Sequence, residues 1–281
     1  MVVAHIILAH SKPAQLNRLI KKLNHPDSLI FVQLDKKCNL VDYPFLLNTP
    51  NVELIINRFD VRWGGFSQVK AIMAAIKQVV QHQSSFGHIN LISGQDYPIK
   101  PSQDFIDFLK TYTTSSFLEF HLPGHPWIEM AQGRITKYHL TDHRFKGSVF
   151  LEKLINFFTP VRRIPSDFII VGHSTWFTLA MEAAKYLVEF FETEKHLISK
   201  FDYSWGADEI LIQSILYNSR YRDQLVNNNL RYIDWSKGGA NPKILTIEDS
   251  SALTSTRSFF ARKFDMEVDI EILNYIDQNI L

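Results

Sequence analysis

The run from Ser204 to Leu216, SWGADEILIQSIL, sets two adjacent carboxylates, Asp208 and Glu209, between a Trp-Gly pair and an apolar stripe. Ile210, Leu211, Ile215 and Leu216 recur near helical spacing, so the stripe faces a core and the carboxylates stand where a loop becomes a helix. A carboxylate in a first helical turn lies against the positive end of the helix dipole, which favours its ionised form. Held on a rigid element, such a group can take a proton from a hydroxyl as a general base. The plainer reading is that the pair only stabilises the helix start, and the run taken alone favours it.

Other clusters carry less. His139, Asp142 and His143 would face one another on a helix as metal ligands do, but no further ligand lies near them in sequence. Ser174, in GHSTW, suits a helix cap better than a nucleophile. The chain has no GxGxxG, no P-loop and no GxSxG, the usual markers of dinucleotide redox, ATP hydrolysis and elbow hydrolases. A D-x-D pair at the end of a central strand could hold Mg²⁺ or Mn²⁺ on a nucleotide diphosphate, yet SGQDYP offers one Asp there, Asp96. Counter-charge for a diphosphate would then come from basic side chains, which concentrate late, at Lys237, Lys243, Arg257, Arg262 and Lys263.

The elements that must position these groups alternate. Val2–Ala9 reads as a strand, with Ser11 as a cap and Pro13 in the first turn of a helix that runs to about Leu23. Strands follow at Leu29–Leu34 and Val52–Ile56, then a long helix capped by Ser67 and ending near Gln81. His88–Ile92 is a fourth strand, and Ser102 caps the next helix. Asp35, Trp63, Gln95 and Asp96 lie at or just after strand ends, so they should share the carboxyl rim where parallel sheets bind ligands. Beyond it, Phe117–His121 and Phe168–Val171 read as strands and Gly124–Thr141 as loop-rich. GHSTWFTLAMEAAKYLVEFF reads as a helix opening after Gly172, followed by a helix over 207–218, a strand over Leu230–Trp235, a short helix around Ile247–Leu253 and a last one from about Val268. The alternation implies crossovers and an α/β fold with a largely parallel central sheet flanked by helices.

Composition sets the bounds. The 281 residues are 46% hydrophobic and 21% charged, with a formal charge of +1, which excludes a dedicated nucleic-acid binder of the basic type. Cys38 is the one cysteine, so neither an intrachain disulfide nor a cysteine metal cluster can form, as suits a reducing compartment. The opening MVVAHIILAHSKP is too short an apolar run to span a bilayer and reads as a buried strand. With no repeat, linker or low-complexity segment, one domain is expected over 1–281, with a nucleotide-binding half over 1–112 and an acceptor and catalytic half over 113–281.

Taken in order, AHIILAH, FVQLDKK, RWGGFSQVKA, LISGQDYPIK, GHSTWFTL, ADEILIQSIL, LRYIDW and SFFARKFD resemble the core-2/I-branching β-1,6-N-acetylglucosaminyltransferases and peptide O-xylosyltransferases. The resemblance implies a GT-A-like fold and inverting, metal-independent transfer from a UDP-sugar to a hydroxyl of a glycan acceptor, GlcNAc being the favoured sugar. It places Asp35 and Trp63 at the uridine, Gln95 and Asp96 at the sugar pocket, Glu209 as catalytic base preceded by Asp208, and Lys263 with Arg262 against the diphosphate. Glu119, Arg134 and Trp235 fall near acceptor-binding positions. The family also carries an arginine upstream of the lysine. Its ungapped counterpart here is Ala240, which leaves Lys243 or Arg231 to substitute. The animal enzymes have an N-terminal anchor and several disulfides, absent from this sequence, so a bacterial, cytoplasmic relative is expected, with peripheral contact at the inner membrane face allowed. The rival readings are a catalytically silent nucleotide- or sugar-binding protein on the same fold, and a transferase using UDP-xylose.

Overall fold

The computed structural model describes residues 2–143 and 145–281. Its central sheet has seven strands in the order β3-β2-β1-β4-β7-β6-β8. These are β1 (Val3–Ala9), β2 (Ser28–Leu34), β3 (Val52–Leu54), β4 (His88–Ser93), β6 (Ser116–His121), β7 (Gly172–Ala180) and β8 (Leu225–Asn227). A second sheet sets β5 (Asp96–Pro98), β10 (Phe260–Arg262) and β9 (Arg231–Ile233) side by side in the order β5-β10-β9.

β1 is parallel to both neighbours, β2 and β4, and β2 to β3; β1, β2 and β4 are buried on both faces, while the edge strand β3 is half-buried. Alternate residues sort into two cores. Ala4, Ile6, Leu29 and Phe31 pack with the helix Phe66–Val80. Val3, Ile7, Ile30 and Val32 pack with the helix Pro13–Leu23 and the final helix Glu271–Asn279. The layers are therefore helix, sheet, helix, in an α/β arrangement. Among the described residues no helix is long and apolar enough to cross a membrane.

The parallel order stops at β4. GHSTWFTLA is not the start of a helix: it is β7, antiparallel to both β4 and β6, and the helix begins at Met181. Its β-branched and aromatic residues, Thr175, Trp176, Phe177 and Thr178, fit a pleated surface between two strands better than a helix. The expected strand Phe168–Val171 is irregular, following Pro165. The region expected to be loop-rich contains the helix Pro126–Thr136, with Pro126 in its first turn and the His125 ring accepting from the Trp127 N–H. A further helix occupies Ser148–Phe158.

The caps also differ. Gly65, not Ser67, precedes the helix Phe66–Val80, and its first-turn donors are met by Asp142, whose carboxylate accepts from Ser67 N at 2.9 Å and Ser67 Oγ at 2.6 Å. Lys12 stands in the cap position expected of Ser11, and its side chain does not cap the helix but pairs with Asp265 and Glu267. Pro101 precedes the helix expected to be capped by Ser102, whose hydroxyl donates to the Lys22 carbonyl instead. The span 207–218 divides into a single 3-10 turn, Ala207–Glu209, and the helix Leu211–Tyr217, with Ile210 between them.

Candidate active site

A cavity of about 460 Å³ opens where the carboxyl ends of β1, β2 and β4 meet the start of β7 and the second sheet. Nine of the residues expected at a functional site line it: Asp35, Trp63, Gln95, Glu119, Asp208, Glu209, Trp235, Arg262 and Lys263. They come from separate elements spread over most of the chain.

Glu209 is placed by its turn. Gly206, at φ +67°, takes the left-handed conformation that starts it. Gly172 lets the turn seat on β7, since a Cβ there would lie 2.2 Å from the Glu209 carbonyl oxygen. About a third of the Glu209 side chain stays open, at 35%. Its Oε2 accepts from Arg134 Nη1 at 2.7 Å. The Arg134 guanidinium in turn lies between the rings of Trp127 and Trp205, at 5.1 and 4.6 Å. Burial, reinforced by the Asp208 carboxylate and opposed by Arg134, raises the Glu209 pKa to about 7. The helix-dipole expectation of a readily ionised group is thus reversed: a three-residue 3-10 turn supplies little dipole, and desolvation outweighs it.

Asp208 points the other way. It is 6% exposed, and its Oδ2 accepts from Gln68 Nε2 at 2.9 Å and Thr175 Oγ1 at 2.6 Å, tying the turn to the helix Phe66–Val80 and to β7. Burial pushes its pKa up.

Across the cavity stand the cations. Lys263 has its pKa lowered, by burial first and then by Arg262. Arg262 lies over the Trp176 ring at 4.1 Å, with Nε 3.4 Å from Asp96 Oδ1. Its Nε and Nη1 are buried without a hydrogen-bond partner among the described residues. Donors left in that state are costly unless an acceptor arrives.

Three of the expected residues stand back. Asp96 is 1% exposed, accepts from the Ser93 N–H and serves as the carboxylate beneath Arg262 rather than as a cavity wall. Lys243 is paired with Asp249 at 2.6 Å. Arg134 reaches the site through Glu209. Arg231, the other substitute considered for Ala240, is buried below the floor, donating to the carbonyls of Leu91 and Phe177 at 2.9 Å, with its pKa lowered to about 9 by burial. Ala240 itself lines the cavity.

At one end, Asp35 accepts from the backbone N–H of Lys37 at 2.8 Å and of Val61 at 3.2 Å, while Trp63 is 57% exposed and meets Trp205 edge-on. On the Glu119 side, His173 lies 3.4 Å away and Asn229 Nδ2 donates to Glu119 at 2.7 Å. The His173 contact lowers the Glu119 pKa. His173, Thr175 and Trp176 are cavity residues that sequence reasoning missed, because GHSTW was assigned to a helix; its run of strand formers was the available signal. His139, Asp142 and His143 form no ligand set: Asp142 is engaged at Ser67, and among the described residues no three His, Cys, Asp or Glu converge as a metal site would require.

With this geometry in place, comparison with known proteins is informative. The family model described as "Branch: Core-2/I-Branching enzyme" matches residues 3–255. The chain belongs to the Core-2/I-branching enzyme family. Among curated relatives, xylosyltransferase 2 of Rattus norvegicus is 24% identical over 98% of this chain and 33% of its own length. Xylosyltransferase 1 of Homo sapiens is 25% identical over 98% of this chain and 30% of its own length. The chain thus spans about a third of the length of these relatives. Mouse xyloside xylosyltransferase 1, in its apo form, superposes with a TM-score of 0.43 at 9% identity, covering 92% of this chain and 97% of that one, a likeness too distant to carry weight.

Proposed function

We propose that this Core-2/I-branching family chain is an inverting glycosyltransferase that moves a sugar, GlcNAc being favoured, from a UDP-sugar to a hydroxyl of a glycan acceptor. The observation that carries the reading is the presence, within one cavity, of a carboxylate poised near pH 7 and of the two cations Arg262 and Lys263. Those are the two halves of a displacement that must take up a proton and release an anion.

The acceptor oxygen attacks the anomeric carbon from the face opposite UDP. A new C–O bond forms as the bond to the diphosphate oxygen breaks, and that electron pair leaves with UDP. Glu209 takes the acceptor's proton, an effect worth roughly 10²- to 10⁴-fold. Lys263 and Arg262 meet the charge on UDP, each such donor contributing on the order of 3 kcal/mol. Arg262 takes the place that Ala240 leaves vacant, since Lys243 and Arg231 are committed elsewhere. Asp35 and Trp63 hold the uridine and Gln95 the sugar, while Asp96 acts by holding Arg262. Asp208 fixes the turn, and Glu119 and Trp235 face the acceptor. No metal is required in this scheme, because the cations supply the neutralisation.

UDP-xylose is the competing donor, on the strength of the xylosyltransferase relatives. Thermal shift with UDP-GlcNAc, UDP-xylose, UDP-glucose and UDP-galactose separates the donors, since a bound ligand raises apparent stability. The reading expects the largest shift with UDP-GlcNAc and slow hydrolysis of that donor. No shift with any UDP-sugar, or with UDP, would overturn it. A shift without any hydrolysis or transfer would favour a silent binding protein.

A further inference from the structure

The helix Ser148–Phe158 is turned inside out. Its polar side chains face the protein: Glu152 accepts from the Leu140 N–H at 2.8 Å, and Asn156 accepts from the Tyr138 N–H and donates to the Tyr138 carbonyl at 2.8 and 2.7 Å. Its apolar side chains face outward. Phe150 is 68% exposed, Phe157 80% and Phe158 77%, with Val149 beside them, and no residue of this helix is buried. A surface helix of a globular protein shows the reverse pattern. Phe145 before it and Val161 after it are also exposed, so the apolar face continues past both ends.

Between residues 145 and 163 the exposed charges have one sign. Lys146, Lys153 and Arg163 are exposed, and Arg162 follows the helix. Glu152 is the one acid between residues 145 and 163, and its carboxylate is turned inward, also lying 3.5 Å from His139. Lys153 sits among the outward phenylalanines, where a long stem can lie on an apolar layer while its ammonium reaches a phosphate. At 11 residues the helix is roughly 16 Å long, too short to span a bilayer but suited to lie in its interface.

We propose that this helix docks the protein onto an anionic lipid surface, with Phe150, Phe157 and Phe158 inserted among the acyl chains and Lys146, Lys153 and Arg163 at the headgroups. Charge complementarity selects the lipid over a second copy of the chain. A two-fold contact would enclose both copies of Lys153 in one apolar seam with no acid to meet them, whereas a headgroup layer supplies the anions. The surface also adjoins the candidate site. The loop Lys137–His143, which receives Glu152 and Asn156, carries Asp142, the carboxylate that caps the helix beginning beside Trp63.

The test is co-sedimentation of the protein with vesicles of phosphatidylcholine alone or of equimolar phosphatidylcholine and phosphatidylglycerol. The protein should bind the anionic vesicles and not the neutral ones, and lose binding as salt is added. The triple variant Phe150→Ser, Phe157→Ser, Phe158→Ser should reduce binding at least about tenfold. Its side chains support no core, so its melting temperature should not fall. A single Phe157→Trp variant gives a second readout, a blue shift of fluorescence when anionic vesicles are added. Equal binding by parent and triple variant, or no binding of the parent to either vesicle, would overturn the proposal. So would a concentration-dependent dimer that the triple variant abolishes while vesicles bind neither protein, because it would assign the face to a second copy.

Discussion

Glu209 is held between opposing influences, and its pH behaviour exposes them. Burial and Asp208 raise its pKa, and Arg134 pulls it down, leaving it at about 7. A base must be unprotonated, so kcat/KM should rise with pH and level off above about 7. Arg134→Met removes the opposing charge, so the limb should move to higher pH. A pH–rate profile in both proteins checks this, and a limb that stays in place would mean Arg134 does not tune the base. The carboxylate pair itself was legible in ADEIL, because two acids before an apolar stripe form a short-range pattern, although the run alone favoured a plain helix start. The protonation behaviour of Glu209 was not, because Arg134 lies 75 residues away and contributes through a contact no local pattern records.

At the scale of elements, the parallel half of the sheet was readable because β1, β2 and β4 are short runs dominated by aliphatic residues with helical segments between them. β7 was not. GHSTWFTLAMEAAKYL has no break between its strand and its helix, and only pairing with β4 and β6 decides where one becomes the other. The cap of the helix Phe66–Val80 was hidden for a related reason: Ser67 has the right residue type, but the accepting group is Asp142, 75 residues on. Asp142→Ala removes both bonds to Ser67 and should cost about 1–2 kcal/mol, seen as a lower denaturation midpoint at unchanged slope. A change of only a few tenths would mean that water serves the helix end equally well.

The cavity belongs to the whole molecule, since Asp35, Glu119, Glu209 and Lys263 meet only once both sheets are assembled. Residue types and spacing could nominate these groups singly, and the family resemblance was needed to gather them. It could not foresee that Asp96 and Lys243 would be engaged with Arg262 and Asp249. If Lys263 and Arg262 neutralise UDP, activity should survive excess EDTA and fall by roughly 10²-fold or more in Lys263→Ala, with weaker UDP binding. Loss of activity in EDTA that Mn²⁺ restores, with Lys263→Ala nearly normal, would show that a cation does this work. The central claim, a transferase with Glu209 as its base, is tested most directly by Glu209→Gln. Turnover of the UDP-sugar in that variant, measured beside calorimetric binding of UDP, should fall at least about 10²-fold while UDP affinity stays at the parent value. Near-parental turnover with intact UDP binding would contradict the account and place the base elsewhere.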